Sequence, residues 1–370
     1  MKIARITQFF PPKIGGLEFH AFELTKRHAR DGAEVHVFTT SGPVPALPAG
    51  AVVHRIRPVR GLPSTSLRAL LFWIKALPAV VGEHRRRAFD VIHAHGDFVD
   101  AALLGWLGRL LRVPTVITMH GGLSKHWAYR MVAGGAFSLP DHVVAVSTQI
   151  KKDLVELGVP AERITVRSSG FDPELFQGQG VKGLSLKGAC PLIVSVGRLH
   201  PVKGFDVLLQ AASKMVARGS CFRLIIVGTG PEEKRLKAMA APLPNVLFLG
   251  ERPKDEIAAL LRAAEIFVLA SVELPGQREG LPTALLEAMA AGRPCVITSK
   301  VAASELVVHG ENAWIVPAGS PEALAEALLY LLESSERRVA LGAKAKASVD
   351  RYDWDTVAEE IMRIYQGLVR

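Results

Sequence analysis

Short apolar runs alternate with longer stretches of helical period along the chain, and glycine-containing turns separate them. Residues 2–8 form the first run, closed by Phe9-Phe10-Pro11-Pro12. Gly15-Gly16 then opens a helical stretch that lasts to Arg30, and Gly32 precedes a second run, Glu34 to Thr39. A strand, a glycine loop, a helix and a strand within about 40 residues make a βαβ unit, which requires a parallel sheet. The alternation continues with strands predicted at Phe89–Ala94, Thr115–Met119 and His142–Val146, and a helix from about Val99 to Leu111. It stops at residues 176–190, FQGQGVKGLSLKGAC, a glycine-rich stretch without period that reads as a linker. It restarts with strands at Pro191–Val196, Arg223–Val227, Val246–Leu249, Glu265–Ser271 and Cys295–Thr298, followed by helices from Pro321 onward. The pattern predicts an α/β protein of two Rossmann-like domains, residues 1–175 and 191–351, with a last helix at about 352–370. Open α/β sheets bind ligands at the carboxyl ends of their strands, so the domains are expected to face each other across a cleft.

Residues 64–87, STSLRALLFWIKALPAVVGEHRRR, carry Leu67, Leu70, Leu71, Ile74 and Leu77 at helical spacing, with Arg68 and Lys75 off that stripe. Such a stripe either packs on the sheet or lies in a membrane interface, where the neighbouring bases favour anionic lipid. Charge keeps the second possibility open. Residues 1–170 hold 22 Lys and Arg against 12 Asp and Glu, whereas the remainder holds 23 of each. Ten of the 12 histidines also fall in the first part. That half is suited to something acidic: an anionic bilayer, an anionic acceptor or nucleic acid.

Composition bounds the rest. With 49% hydrophobic and 22% charged residues the chain is an ordinary soluble globular protein, not a disordered one. No apolar stretch approaches the length of a membrane span, and MKIARITQFF lacks a signal-peptide core. Cys190, Cys221 and Cys295 are widely spaced and form no C-x-x-C pair. That spacing argues against a disulfide framework or a zinc site and fits a reducing cytosol. A cytoplasmic protein is expected, at most peripheral on the inner face of the membrane.

One stretch concentrates chemistry: REGLPTALLEAMAAGRP, Arg278 to Pro294. Gly280 and Pro282 punctuate a loop, Thr283 begins a run of strong helix formers, and Gly292 ends it. Glu279 thus lies before a helix N-terminus and Glu287 about a turn inside. Unpaired N–H groups and the dipole make such a terminus an anion site. Two carboxylates repel phosphate, however, and suit hydroxyls instead, as on a ribose. Read alone, each Glu also fits a capping acid or a solvated helix acid.

Other signals stand at strand ends. Gly15 and Gly16 permit close approach of backbone to a ligand beyond the first strand. His120 follows the strand Thr115–Met119 and precedes Gly121-Gly122. Gly197-Arg198-Leu199-His200-Pro201-Val202-Lys203-Gly204 sets two bases on one loop, Arg198 as a fork and Lys203 as a point charge, where both can meet a diphosphate. A plain turn, a structural histidine and surface bases are the ordinary alternatives. Gly228-Thr229-Gly230 lacks the third glycine of a dinucleotide fingerprint. Asp353-Trp354-Asp355 has the form of a D-x-D metal motif but stands at a helix start, where Asp serves as a cap, so no metal site is expected.

Together, Glu279 and Glu287 in E-G-L-P-T-A-L-L-E, Gly15-Gly16 with Glu18 and His20, His120-Gly121, G-R-L then K-G at 197–204, and ERITVRSSGFDPELF carry a resemblance. Over essentially its whole length the chain resembles the large retaining glycosyltransferase family of GT-B fold, often called family 4. The resemblance implies transfer of a sugar from a UDP-, GDP- or ADP-linked donor to a glycolipid, a polysaccharide precursor or a small molecule, with neither cofactor nor metal. The basic half adds the expectation of an acidic or lipid-linked acceptor. It implies that Gly15 and Gly16 approach the donor diphosphate, that His120 lies beside the donor sugar, and that Gly250-Glu251-Arg252 sets loop backbone against the nucleobase. Arg198 and Lys203, on the loop opened by Gly197, would stabilise the leaving diphosphate together with N–H groups around Gly280, Leu281, Pro282 and Thr283. Glu287 would hold ribose hydroxyls and Glu279 sugar hydroxyls, and the terminal helix would cross back onto the first domain. Two departures stand out: Ser168-Ser169 where Pro-Asn is usual, and Pro282, which offers no N–H. Two alternatives remain. A sugar-nucleotide epimerase shares the architecture, although no distinct set of acid/base carboxylates is seen. A nucleic-acid-binding protein would use the basic half, yet aromatics are 6% and no RNA or DNA module is present, so nucleic acid is not an expected partner.

Overall fold

Runs of Val, Ile and Leu that are apolar on both faces need helices on both sides, and a parallel sheet supplies that burial. The computed structural model describes residues 1–12, 15–58, 65–121, 123, 127–176, 189–274, 281–301, 303 and 305–369. Its two compact units are Met1–Gly170 with the chain from Trp354 onward, and Phe171–Asp353.

The first unit runs β1 (Lys2–Thr7), α1 (Gly16–Arg30), β2 (Glu34–Thr39), β3 (Ala51–Arg55), α2 (Thr65–Arg87), β4 (Val91–Gly96), α3 (Phe98–Leu111), β5 (Thr115–Met119), α4 (Trp127–Phe137), β6 (His142–Ala145), α5 (Thr148–Glu156) and β7 (Ile164–Val166). Its strands are all parallel, in the order β3-β2-β1-β4-β5-β6-β7. The second unit runs β8 (Leu192–Val196), α6 (Phe205–Ala217), β9 (Arg223–Val227), α7 (Glu233–Ala240), β10 (Val246–Gly250), α8 (Lys254–Ala263), β11 (Ile266–Leu269), α9 (Thr283–Ala290), β12 (Cys295–Thr298), β13 (Trp314–Val316), α10 (Pro321–Leu332) and α11 (Ser335–Ala347). Its order is β10-β9-β8-β11-β12-β13, again parallel throughout. The strand order reverses between β1 and β4 and between β8 and β11, the switch points where doubly wound sheets bind ligands.

The last helix, α12 (Trp354–Val369), packs in the first unit, where Trp354, Val357, Ile361 and Tyr365 join Ala21 and Leu24 of α1 over β1, β2 and β4. Helices α2 to α5 bury Phe72, Trp73, Leu104, Phe137 and Leu154 in the first unit's other core.

Three expectations change. The boundary falls at Gly170 rather than 175, because Phe171 belongs to the second unit's core and its N–H donates to the Tyr352 carbonyl at 3.0 Å. Arg262 of α8 also donates to the Leu175 carbonyl. Most of the expected linker, 177–188, lies outside the described residues. Second, Cys190 and Cys221 form a disulfide, with Cα atoms 5.3 Å apart. Leu192 and Arg223 are register partners on neighbouring β8 and β9, so the residues two positions before each arrive side by side, which spacing along the chain does not reveal. Third, α2 turns a different face inward. Ala69, Phe72, Trp73, Ala76 and Val80 are buried, while Leu67, Leu70 and Ile74 of the expected stripe are exposed. The aromatic pair decides the rotation: the Trp73 indole N–H donates to the buried Asp100 carboxylate at 2.8 Å, which a Leu-centred face would leave unmade.

Candidate active site

In the second unit the loop after β8 carries the expected bases. A short turn, Pro201–Lys203, follows His200, whose Nδ1 accepts from Val202 N–H at its start. Arg198 is exposed. Lys203 folds back under the loop, so that a Cβ on Gly197 would stand 3.8 Å from its Cδ and Cε. Burial lowers the Lys203 ammonium to about 8. An anion arriving beside it would favour the charged form.

Neighbouring loops close on this one. Leu199 N–H donates to Thr229 O at 2.9 Å, and a side chain at Gly228 (φ +134) would collide with the Gly197 carbonyl. Gly228 and Gly230 are therefore there for close packing of the β9 loop on the β8 loop, not for a dinucleotide. Gly228 N–H donates to Gly250 O at 2.8 Å, which brings the end of β10 into the same group. Arg252 is half-buried, its Nε 3.7 Å from Glu256.

Pro282 precedes α9 and its carbonyl accepts from Leu285 N–H at 3.0 Å. Leu281 is buried, Thr283 begins the helix, and Glu287 is buried a turn inside. Lys254 donates to Glu287 Oε1 at 2.9 Å. The sequence reading passed over Lys254. Its signal was a cation in the first turn of α8, where the dipole disfavours it unless an acid is near. Glu279 and Gly280 lie outside the described residues. Of the rest of the predicted set, the packed loops bring together Gly197, Lys203 and Gly250. Arg252 follows two residues after Gly250, and Glu287 is joined through Lys254 to the helix after it.

In the first unit Gly15 is extended and precedes α1, with its carbonyl accepting from Phe19 N–H at 3.0 Å. A side chain there would strike the Glu18 carboxylate, whereas Gly16 has open space beside it. Behind this loop stand three imidazoles, His20 of α1, His95 at the end of β4 and His120 just past β5. The ring of His120 meets that of His20 edge-on at 4.8 Å and lies 5.5 Å from that of His95. Ser169, one of the departures from the family pattern, makes a 2.9 Å hydrogen bond with His20 Nδ1. Burial lowers His120 to about 3 and holds His20 and His95 well below the ordinary range. The nearby Arg5 guanidinium adds to the effect on His20 and His95. All three are neutral imidazoles at neutral pH.

Arg5 is itself fully buried, and its guanidinium donates to Thr25 Oγ1 at 2.9 Å and Tyr365 OH at 3.1 Å beside His28 Nδ1 at 3.1 Å. Sequence reasoning missed Arg5, His93 and His95 as site neighbours; the only signal was the alternation of His93 and His95 on one strand. Among the described residues two groups come close enough to share a cation, His20, His95 and His120, and His36, His54 and Glu83. The first feels the charge of Arg5, and in the second Glu83 already pairs with Arg87 at 2.7 Å. Asp355, of the D-x-D stretch, pairs with Arg27 at 2.9 Å and Arg30 at 3.0 Å.

Two doubly wound parallel sheets with glycine loops at their strand ends are the architecture of the GT-B fold. The sequence comparisons agree. Residues 14–175 match the family described as Glycosyltransferase Family 4, and residues 182–348 match Glycosyl transferases group 1. The amylovoran biosynthesis glycosyltransferase AmsK of Erwinia amylovora is 33% identical over 293 residues, 74% of this chain and 69% of that protein. A phosphatidyl-myo-inositol mannosyltransferase of Mycobacterium leprae is 31% identical over 99% of this chain and 96% of its own. Among solved structures, Anabaena HepE in complex with UDP superposes with a TM-score of 0.78 at 23% identity, covering 100% of both chains. The chain belongs to the group 1 glycosyltransferases of family 4.

Proposed function

We propose that the protein transfers a glycosyl group from a nucleoside-diphosphate sugar to an acceptor with retention of anomeric configuration and without a metal ion. The observation that carries this reading is that the loops after β8, β9 and β10 pack together with Gly197, Lys203 and Gly250 among them, while the buried Glu287 of α9 is tied through Lys254 to the helix that follows β10. Arg198 and Lys203 meet the diphosphate, whose charge grows as the sugar leaves, and Lys203 needs no metal beside it to do so. Glu287 accepts from the ribose hydroxyls with Lys254 fixing its carboxylate. Glu279 takes the sugar hydroxyls, Gly15 and Gly16 approach the diphosphate, and His120 faces the sugar or the departing phosphate. The HepE complexes with UDP and UDP-glucose support a nucleotide-sugar donor.

An acidic or lipid-linked acceptor at an anionic membrane surface fits the first unit, and the mycobacterial mannosyltransferase, by its name, supports it. Trp106 (63% exposed) and Leu110 of α3, Trp127 (69%) and Met131 of α4, and Ile74 of α2 stand out on three helices packed over one face of the sheet. The only acids on these helices, Glu83 and Asp100, are buried, whereas Lys75, Arg85, Arg86 and Arg109 are exposed. Amphipathic aromatics among bases suit the boundary of an anionic bilayer. No described helix is long and apolar enough to cross a membrane.

Thermal-shift measurements against UDP-, GDP- and ADP-sugars in EDTA test the donor reading. A sugar nucleotide at 100 times its dissociation constant adds about 2.7 kcal/mol of stability. Product analysis then shows whether the sugar moves to an acceptor with its anomeric configuration kept or is epimerised on the nucleotide. Failure of every sugar nucleotide to bind, or binding only on addition of manganese, overturns the reading.

A further inference from the structure

His93 and His95 lie two residues apart on β4 and so share a face, where their rings stack at 4.4 Å. The His93 ring is fixed by Tyr365 OH at one nitrogen and by Thr118 Oγ1, 2.7 Å from the other. His95 is packed against that fixed ring, and its Nδ1 lies 3.2 Å from His120 Nε2. Its other nitrogen, Nε2, is buried with no hydrogen-bond partner. His120 itself is only half-buried.

Each ring is neutral and so carries one N–H, which leaves two arrangements for the His95–His120 bond. With the His95 proton on Nε2, a buried donor has no acceptor and bears its full desolvation penalty. With the proton on Nδ1, it is donated to His120, and the unpaired atom is a bare lone pair. Buried N–H groups without partners are rarer than under-used acceptors, which favours the second arrangement.

We propose that His95 donates from Nδ1 to His120 Nε2 and thereby fixes His120 as its Nδ1–H tautomer, presenting an N–H donor to an oxygen of the bound sugar donor. The hydrogen bond at one imidazole nitrogen decides which nitrogen holds the proton, so His95 is a positioning residue for His120. The inference rests on the reading that His120 faces the donor. It also sharpens that reading. An Nδ1–H suits an oxygen that gains negative charge as the diphosphate leaves, and the same nitrogen has no lone pair with which to take a proton from an acceptor hydroxyl.

Long-range proton–nitrogen spectra of the protein labelled with 15N-histidine test it, with His120 assigned by difference from His120→Gln. The expected wild-type spectrum shows a protonated Nδ1 and a bare Nε2 on His120. His95→Phe, which keeps a ring but removes the donor, moves His120 towards the Nε2–H form, and His95→Gln, whose amide donates, brings it back. A wild-type His120 protonated at Nε2 overturns the proposal, as does a His120 signal unchanged in His95→Phe. The wild-type spectrum decides the matter even where a variant fails to fold. No transfer reaction enters these outcomes, so a protein with the expected tautomer that binds no sugar nucleotide would refute the donor reading alone.

Discussion

The two units share one architecture and bury opposite kinds of side chain. The first buries Arg5, Glu18, Glu23, Arg27, Glu83, Asp100, Arg167 and five histidines. In the second, Glu287 is the only buried carboxylate or cation among the described residues. Burying a charge is costly unless it is paired, so each case needs a reason. In the first unit many of the reasons are internal. Arg5 bonds Tyr365, Arg167 pairs with Glu360 at 3.0 Å, and Arg27 with Asp355 at 2.9 Å, all of them ties between α12 and the rest of the unit. A buried charge there does not mark a ligand site. In the second unit the one buried acid among the described residues, Glu287, pairs with Lys254 at 2.9 Å, and this pair stands on the helices that carry the proposed donor site.

The largest expected effect is on acid stability, and it falls on the first unit. His28 and His120 have folded-state values of about 3, and His20, His93 and His95 lie well below their ordinary value. The unfolded chain takes up protons near pH 6.5 and the folded unit does not. Stability is therefore complete above about pH 6.5 and falls as pH drops below it, with an upper limit of about 1.4 kcal/mol per pH unit for any one of these histidines. Hydrogen exchange at pH 7 and 5 should show the first unit opening and the second largely unmoved; equal loss in both would erase the contrast.

Next comes Lys203→Met. If the second unit's polar groups serve the ligand, turnover should fall by about 10²–10³-fold while the melting temperature barely moves. A large drop in melting temperature would make Lys203 structural. Smaller again is Glu287→Gln, expected to weaken both free nucleoside diphosphate and nucleotide sugar by about tenfold. Glu279→Gln should spare the free diphosphate and weaken the sugar donor, and calorimetry on both ligands separates the two. The smallest effect is at the surface. Replacing Trp106 and Trp127 together by Ser should reduce sedimentation with anionic vesicles by roughly an order of magnitude or less. Binding to neutral vesicles as strong as to anionic ones would remove the electrostatic part of that proposal.

How legible the protein was in its sequence depends on the range of the interaction. The strands that are apolar on both faces, the glycine loops after β1 and β8, and the start of α9 were readable, because period and turn chemistry are local. The edge strand β3, half-exposed and mixed in polarity, and α4, with Gly134 and Gly135 inside it, lack a strong local signal and were not read. What only the tertiary structure decided are the contacts between distant segments. Cys190 meets Cys221 because β8 and β9 pair in register, and Lys254 meets Glu287 because α8 packs beside α9. Leu67, Leu70 and Ile74 face outward because Trp73 found Asp100, 27 residues away. Likewise His95 reaches His120 only because β4 and β5 lie side by side, with His95 opposite Thr118. Residue spacing carries the period of an element but not the identity of its neighbour, which long-range packing alone selects.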